Sequence, residues 1–167
     1  VLVDDHMRTS DPDIYAAGDV AEAFDPLLGD KRPVAIWPGA YMQAEIAGRN
    51  MAGGHETYIG SIPMNSIQAC GLPTISVGLI SPPEGAETLE YRSSDGKSYR
   101  RMFIQDGRIV GAVFVGDIDR AGIITGLIRQ GIDVSSFREK LIQRDLGLLS
   151  LPKQYRKHIV SGPGIEV

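Results

Sequence analysis

The chain has 167 residues, of which 43% are apolar and 23% charged, the balance of an ordinary globular protein with room for one good core or two small ones. Its net charge of −4 argues against a general nucleic-acid binder. Its longest apolar runs fall far short of the ~20 residues a membrane helix needs, nothing reads as a signal peptide, and a single cysteine, Cys70, points to a cytoplasmic protein without an intramolecular disulfide.

The chain opens on VLVDD without an initiator Met. VLV is a strand-like apolar run that needs neighbours to cover it, so the sequence reads as a piece of something longer. Val1 to Val3 are expected as a buried strand and Asp4 to Arg8 as a polar turn. Pro12 has no amide for a sheet ladder, so residues 9–13 read as the approach to a second short strand, Ile14 to Ala17. Gly18 then permits a turn that a Cβ would resist. Asp19 falls just past the carboxyl end of that strand, where open α/β sheets bind ligands. A carboxylate there accepts strong, charge-assisted hydrogen bonds from ligand hydroxyls. The dipeptide by itself is equally what a plain turn or a helix cap would carry.

Residues 23–33, AFDPLLGDKRP, read as a variable loop. The following IWPGAYMQAEIAGRNMAGG reads as a helix, with Pro38 at the first helical position and Gly53-Gly54 as the stop. Ala40, Ala44, Ala47, Gly48 and Met51 recur at helical spacing, a small-residue face that lets the helix backbone approach a sheet or a flat ligand. The Pro38-Gly39 end leaves free amides and partial positive charge for a negative oxygen or phosphate. Trp37 is placed either to pack on an aromatic ring or to anchor a core.

The series R-T-S-D-P-D-I-Y-A-A-G-D-V-A-E followed by W-x-x-A-x-x-Q-A resembles the FAD-dependent pyridine nucleotide-disulphide oxidoreductases. The likeness is strongest to the branch with NADH-rubredoxin reductases, ferredoxin reductases and the flavin domain of nitrite reductase large subunits. It implies that Asp19 hydrogen-bonds the ribitol chain of FAD, that Gly18 gives the cofactor room, and that Trp37, Pro38 and Gly39 lie beside the isoalloxazine ring. Gln43 and Ala44 share that helix. The two G-x-G-x-x-G turns with which such reductases hold FAD and NAD(P)H do not occur in this sequence. The resemblance therefore covers the last part of an FAD domain and the domain after it.

From Ser61 the pattern turns to strands. PMNSIQACGLPTISVGLISPP reads as two strands broken at Gly71-Leu72-Pro73, with Cys70 as a buried, inert thiol. TLEYRSSDGKSYRRMFIQDGRIVGAVFVGD holds three more runs joined by Asp95-Gly96 and Asp106-Gly107, both hairpin signals. An antiparallel meander is expected, with 109–115 most buried. Asp117 or Asp119 would cap a helix through Ile123, Ile124, Leu127 and Ile128 to Gly131, on which Gly122 and Gly126 suggest a close helix contact. Ser136-x-x-Glu139 reads as a capping box opening a second helix to about Arg144. Basic clusters, Lys97, Arg100, Arg101 and Arg108 in the hairpins and Lys153, Arg156 and Lys157 in the tail, read as a solvated face or as a dock for an acidic redox partner. His6, His55 and His158 lack metal-ligand spacing.

The expected fold class is α+β: a remnant of an FAD-binding α/β domain over 1–60, then an interface domain of antiparallel sheet with two C-terminal helices over 61–148, and a tail over 149–167. By resemblance, the parent is a homodimeric, non-membrane flavoenzyme that takes hydride from NAD(P)H onto FAD and passes electrons to a redox protein or small acceptor. This piece alone would be inactive. A different class of reading, a non-catalytic dimerisation or redox-partner docking module, also fits the residues.

Overall fold

In a computed structural model, which describes residues 1–144, 146–152 and 155, the chain forms two compact units, the first spanning Val1–Asn65 and the second beginning at Ser66. The fold is α+β: an antiparallel sheet with few helices. Residues Lys153, Arg156, Lys157 and His158, and with them most of the expected tail, lie outside the described residues.

The first unit packs around Val3, Met7, Ala21, Ala23, Ala47 and Tyr58, with Tyr15, Ala16 and Ile46 against them. Two strand expectations shrink here. Val1 to Val3 make one parallel bridge, Leu2 to Glu22, and only Val3 of the three is buried. Ile14 to Ala17 contribute one antiparallel bridge, Tyr15 to Arg8, supported by Thr9 N–H to the Ile14 carbonyl at 2.9 Å and Ala16 N–H to the Met7 carbonyl at 3.1 Å. Nor is Asp4 to Arg8 a wholly polar turn, because Met7 is fully buried within it. The turn closes on Asp4, whose carboxylate accepts the His6 and Arg8 amides.

AFDPLLGDKRP is an ordered hairpin rather than a loop: β1 (Ala23–Asp25) pairs antiparallel with β2 (Asp30–Arg32). Asp25 explains it. Its buried carboxylate accepts the Leu27 amide at 2.8 Å and the Arg32 Nε at 2.5 Å, which ties the turn to the far strand. Helix α1 (Trp37–Met51) follows, with Pro at its first turn and Ile36 as an extended residue before it. Gly53, at φ +91°, ends it as expected. Its buried face is Gly39, Gln43, Ala47 and Asn50, whereas Ala44, Gly48 and Met51 of the anticipated small-residue face are exposed. Gln43 and Asn50 hold the buried face because each satisfies backbone groups of other segments; Asn50 donates to the carbonyls of His6 and Glu56, both at 2.9 Å.

The second unit is a five-stranded sheet of order β3-β4-β7-β6-β5, comprising β3 (Met64–Ala69), β4 (Leu72–Gly78), β5 (Glu87–Arg92), β6 (Tyr99–Gln105) and β7 (Arg108–Val115). The meander β5-β6-β7 forms, with a tight turn at Asp106-Gly107 but a longer loop over 93–98 around Asp95-Gly96, where Asp95 does not take the positive φ of a tight hairpin, and β4 adds antiparallel to β7. That places β7 in the centre, and it shares the deepest burial with β6. The β3–β4 turn sits at Cys70 and Gly71, with φ of +50° and +79°, the pair of positive values that a tight hairpin turn demands. Cys70 is therefore exposed at the turn and not buried in a strand.

Helix α2 (Ala121–Arg129) lays Ile124, Leu127 and Ile128 on the sheet. Its N-cap is Arg120 in a left-handed conformation without a side-chain cap, so neither Asp117 nor Asp119 plays that role. Asp117 is engaged by Arg100, whose Nη2 donates to it at 2.9 Å. Arg100 is 1% exposed, donates also to the Gln143 carbonyl and lies over Phe114, so it does not belong to a solvated basic face. Arg101 pairs with Glu90. A Cβ built on Gly122 or Gly126 would meet nothing within 4 Å; the pair marks open space and not a close helix contact. The second helix shortens to α3 (Arg138–Leu141), which has Phe137 before it and no capping box; Asp133, instead of Ser136, accepts an amide there, from Ser135. No helix among the described residues is long and apolar enough to cross a membrane.

Candidate functional site

The candidate site lies in the first unit, where Gly18 meets the start of α1. Gly18 opens a single 3-10 turn, Gly18–Val20, at φ +81°, a left-handed conformation that costs a side-chain-bearing residue about 1–2 kcal/mol. A Cβ there would stand 3.4 Å from the Ala40 Cβ, so the turn rests on the first turn of the helix. Gly18 is buried and Asp19, the next residue, is exposed. The backbone thus passes from the packed layer to the surface at Asp19, on a turn seated against the first turn of α1.

That helix end is open. No side chain caps it, and Pro38 has no amide to offer, which leaves the Trp37 and Gly39 amides as its donors; Ala40 N–H already bonds the Ile36 carbonyl at 3.0 Å. Gly39 is buried, and a Cβ on it would lie 2.9 Å from Ser61 Oγ, so a side chain there would have to displace Ser61. Trp37 is 85% exposed. It is not a core anchor, which leaves its ring available to stack on another.

Behind the site runs a chain of buried polar groups. Gly18 N–H donates to Gln43 Oε1 at 2.7 Å, Gln43 Nε2 donates to Tyr58 Oη at 3.3 Å, and the Tyr58 hydroxyl donates to Ser61 Oγ at 2.8 Å. Gln43 is 1% exposed. Tyr58 was not flagged by the sequence, which shows it as one tyrosine in a polar stretch; Gln43 stood in the motif without a function. Its place four residues from both Gly39 and Ala47 is the signal that could have put it on the inward face. On the hairpin before Gly18, Arg8 donates to the Tyr15 hydroxyl at 3.2 Å, a bond that raises the Arg8 pKa further above its ordinary value.

Gly18, Asp19, Trp37, Pro38 and Gly39 therefore fall on two adjoining pieces of backbone. Their chemistry fits a ligand that has hydroxyls for a carboxylate, a negative oxygen for a helix start and a flat ring for an indole. A separate open cleft of about 410 Å³, lined by Asp4, Asp5, Phe24, Lys31, Thr57, Tyr58 and Ile59, contains none of these residues. Among the described residues, no group of three or more His, Cys, Asp or Glu is arranged to hold a metal ion.

Comparison with known proteins places both units. Residues 1–48 match the family model "Pyridine nucleotide-disulphide oxidoreductase", and residues 63–132 match "Rubredoxin NAD+ reductase C-terminal domain". The chain is 32% identical over 151 residues to the NADH-dependent phenylglyoxylate dehydrogenase subunit epsilon of Aromatoleum evansii, covering 89% of this chain and 36% of that protein. It is 35% identical over 118 residues to the NADH-rubredoxin oxidoreductase of Clostridium acetobutylicum, covering 71% of this chain and 29% of the relative. The crystal structure of the NADH:rubredoxin oxidoreductase from Clostridium acetobutylicum superposes with a TM-score of 0.63 at 29% identity, over 81% of this chain and 34% of that one. The chain thus spans about a third of the length of these two relatives.

Proposed function

The chain belongs to the pyridine nucleotide-disulphide oxidoreductases, with segments of that family's domains over both of its units, and from this we propose that it forms the closing wall of an FAD site in an NAD(P)H-dependent oxidoreductase. Asp19 holds the ribitol hydroxyls. The Trp37-Pro38-Gly39 end of α1 faces the ring and favours negative charge there. Bound flavin supplies the hydride- and electron-accepting chemistry. The chain's own residues hold it, orient it and bias its charge. The electron acceptor is a redox protein or a small molecule, as the name of the NADH-rubredoxin oxidoreductase suggests for that relative.

The observation that carries this reading is Gly18. Its left-handed backbone, seated on Ala40 in the first turn of α1, leads directly to an exposed Asp19. On this reading the remaining walls of the site, including the Gly-rich phosphate turns that this sequence lacks, would be supplied by chain other than these 167 residues. The chain supplied with FAD and NADH is accordingly expected to show no turnover, and substantial NADH oxidation by it alone would contradict the proposal.

A second reading, a dimerisation or partner-docking module, is favoured by β3, whose six residues are all exposed, Met64 and Ile67 among them. An exposed edge strand is a template for pairing with another chain. Self-association abolished by Ile67→Lys, in a full-length product without flavin, would favour this reading over the first.

A further inference from the structure

We propose that Gln43 is the positioning residue of this site, setting the direction of the Gly18 amide and, through it, the place of the Asp19 carboxylate; the inference rests on the flavin-site reading above. The side chain reaches across 25 residues of sequence to accept the Gly18 N–H at 2.7 Å. It is buried, so the bond competes with no water. Its orientation is determined by its second bond, because Nε2 donates to Tyr58 Oη at 3.3 Å while that hydroxyl donates onward to Ser61 Oγ at 2.8 Å. Exchanging oxygen and nitrogen would set an NH₂ against the Gly18 N–H, so the network admits one orientation only. Gly18 is held from two sides, by this bond on its amide and by Ala40 beneath its Cα. Asp19 itself is exposed. Its aim is set one residue back, at a backbone group that Gln43 controls.

Gln43 touches the carboxylate only through the backbone, which makes the effects of the two side chains interdependent. The test is a double-mutant cycle on the full-length gene product, reading FAD affinity by flavin fluorescence, with Gly18 amide exchange read by NMR in the present chain. Gln43→Met is expected to weaken FAD about tenfold, the size of one lost hydrogen bond to a charged or buried group, and to accelerate Gly18 exchange. Asp19→Asn is expected to weaken FAD at least as much. The double variant is expected to bind no worse than Asp19→Asn alone. Tyr58→Phe, which keeps the Gln43 oxygen but frees its nitrogen, gives a smaller loss with the same non-additivity and serves where Gln43→Met does not fold. Additive losses, or unchanged Gly18 exchange in Gln43→Met, overturn the positioning role and leave the flavin reading standing. A wild-type full-length protein without FAD affinity overturns both.

Discussion

Gly18 and Gln43, 25 residues apart in sequence, are joined by a buried hydrogen bond of 2.7 Å. It ties a left-handed turn to the inward face of a helix, and the exposed Asp19 follows directly from that turn.

Gly18→Ala is expected to destabilise the first unit by about 1–2 kcal/mol, the cost of the left-handed backbone for a residue with a Cβ. Urea denaturation monitored on the first unit measures it. A variant as stable as wild type would show that the +81° conformation is not held.

Asp117→Ala removes the carboxylate facing Arg100, whose side chain is almost wholly buried. Leaving a buried guanidinium without its ion partner costs about 3–5 kcal/mol, whereas replacing both members by apolar residues costs far less. Arg100→Met combined with Asp117→Leu is therefore expected to be more stable than Asp117→Ala in chemical denaturation. The reverse order would show that the pair itself, rather than the orphaned charge, dominates.

Cys70 at the exposed β3–β4 turn is expected to react with a thiol reagent in the folded protein nearly as fast as in denaturant, and Cys70→Ser is expected to change stability by less than about 0.5 kcal/mol. Strong protection of the thiol in the folded state would contradict the turn assignment.

In the loop joining β5 to β6, the Ser93 hydroxyl and then the Lys97 amide hold the Asp95 carboxyl below its ordinary pKa. A depressed folded value means that the stabilisation is fully present above the ordinary carboxylate pKa and is lost as pH falls through the lower, folded one. The group is exposed, so the effect on stability is small. A carboxyl-carbon NMR titration should place the Asp95 midpoint below that of an unperturbed aspartate, and Ser93→Ala should move it back up. A midpoint at the ordinary value would contradict the loop geometry.

Much of the second unit was legible because its signals are local. Asp106-Gly107 takes positive φ at both residues, and the run 109–115 is the central strand. The failures have two causes: a competing partner distant in sequence, and a local turn whose side-chain bonds residue type alone does not reveal. Asp117 was readable as a cap, but Arg100, 17 residues earlier, claims it. Asp25 looked like part of a loop until Arg32 and the Leu27 amide turned that loop into a hairpin. On α1, helical periodicity was correct while the inward face was not, since small residues mark closeness without saying to what. In the site, Gly18, Asp19 and Trp37 could be singled out from type and order. Gln43 gained a role only when the fold brought its amide to the Gly18 N–H.

The role proposed for Asp19 is to anchor FAD. It is tested most directly by purifying the full-length gene product as wild type and as Asp19→Ala, and measuring the flavin each retains and its affinity for added FAD. Asp19 is exposed, so the substitution should leave folding unchanged within about 0.5 kcal/mol. A retained flavin absorption band is expected in wild type, and its loss, with FAD affinity reduced at least about tenfold, in the variant. An Asp19→Ala protein that keeps flavin at wild-type affinity would contradict it.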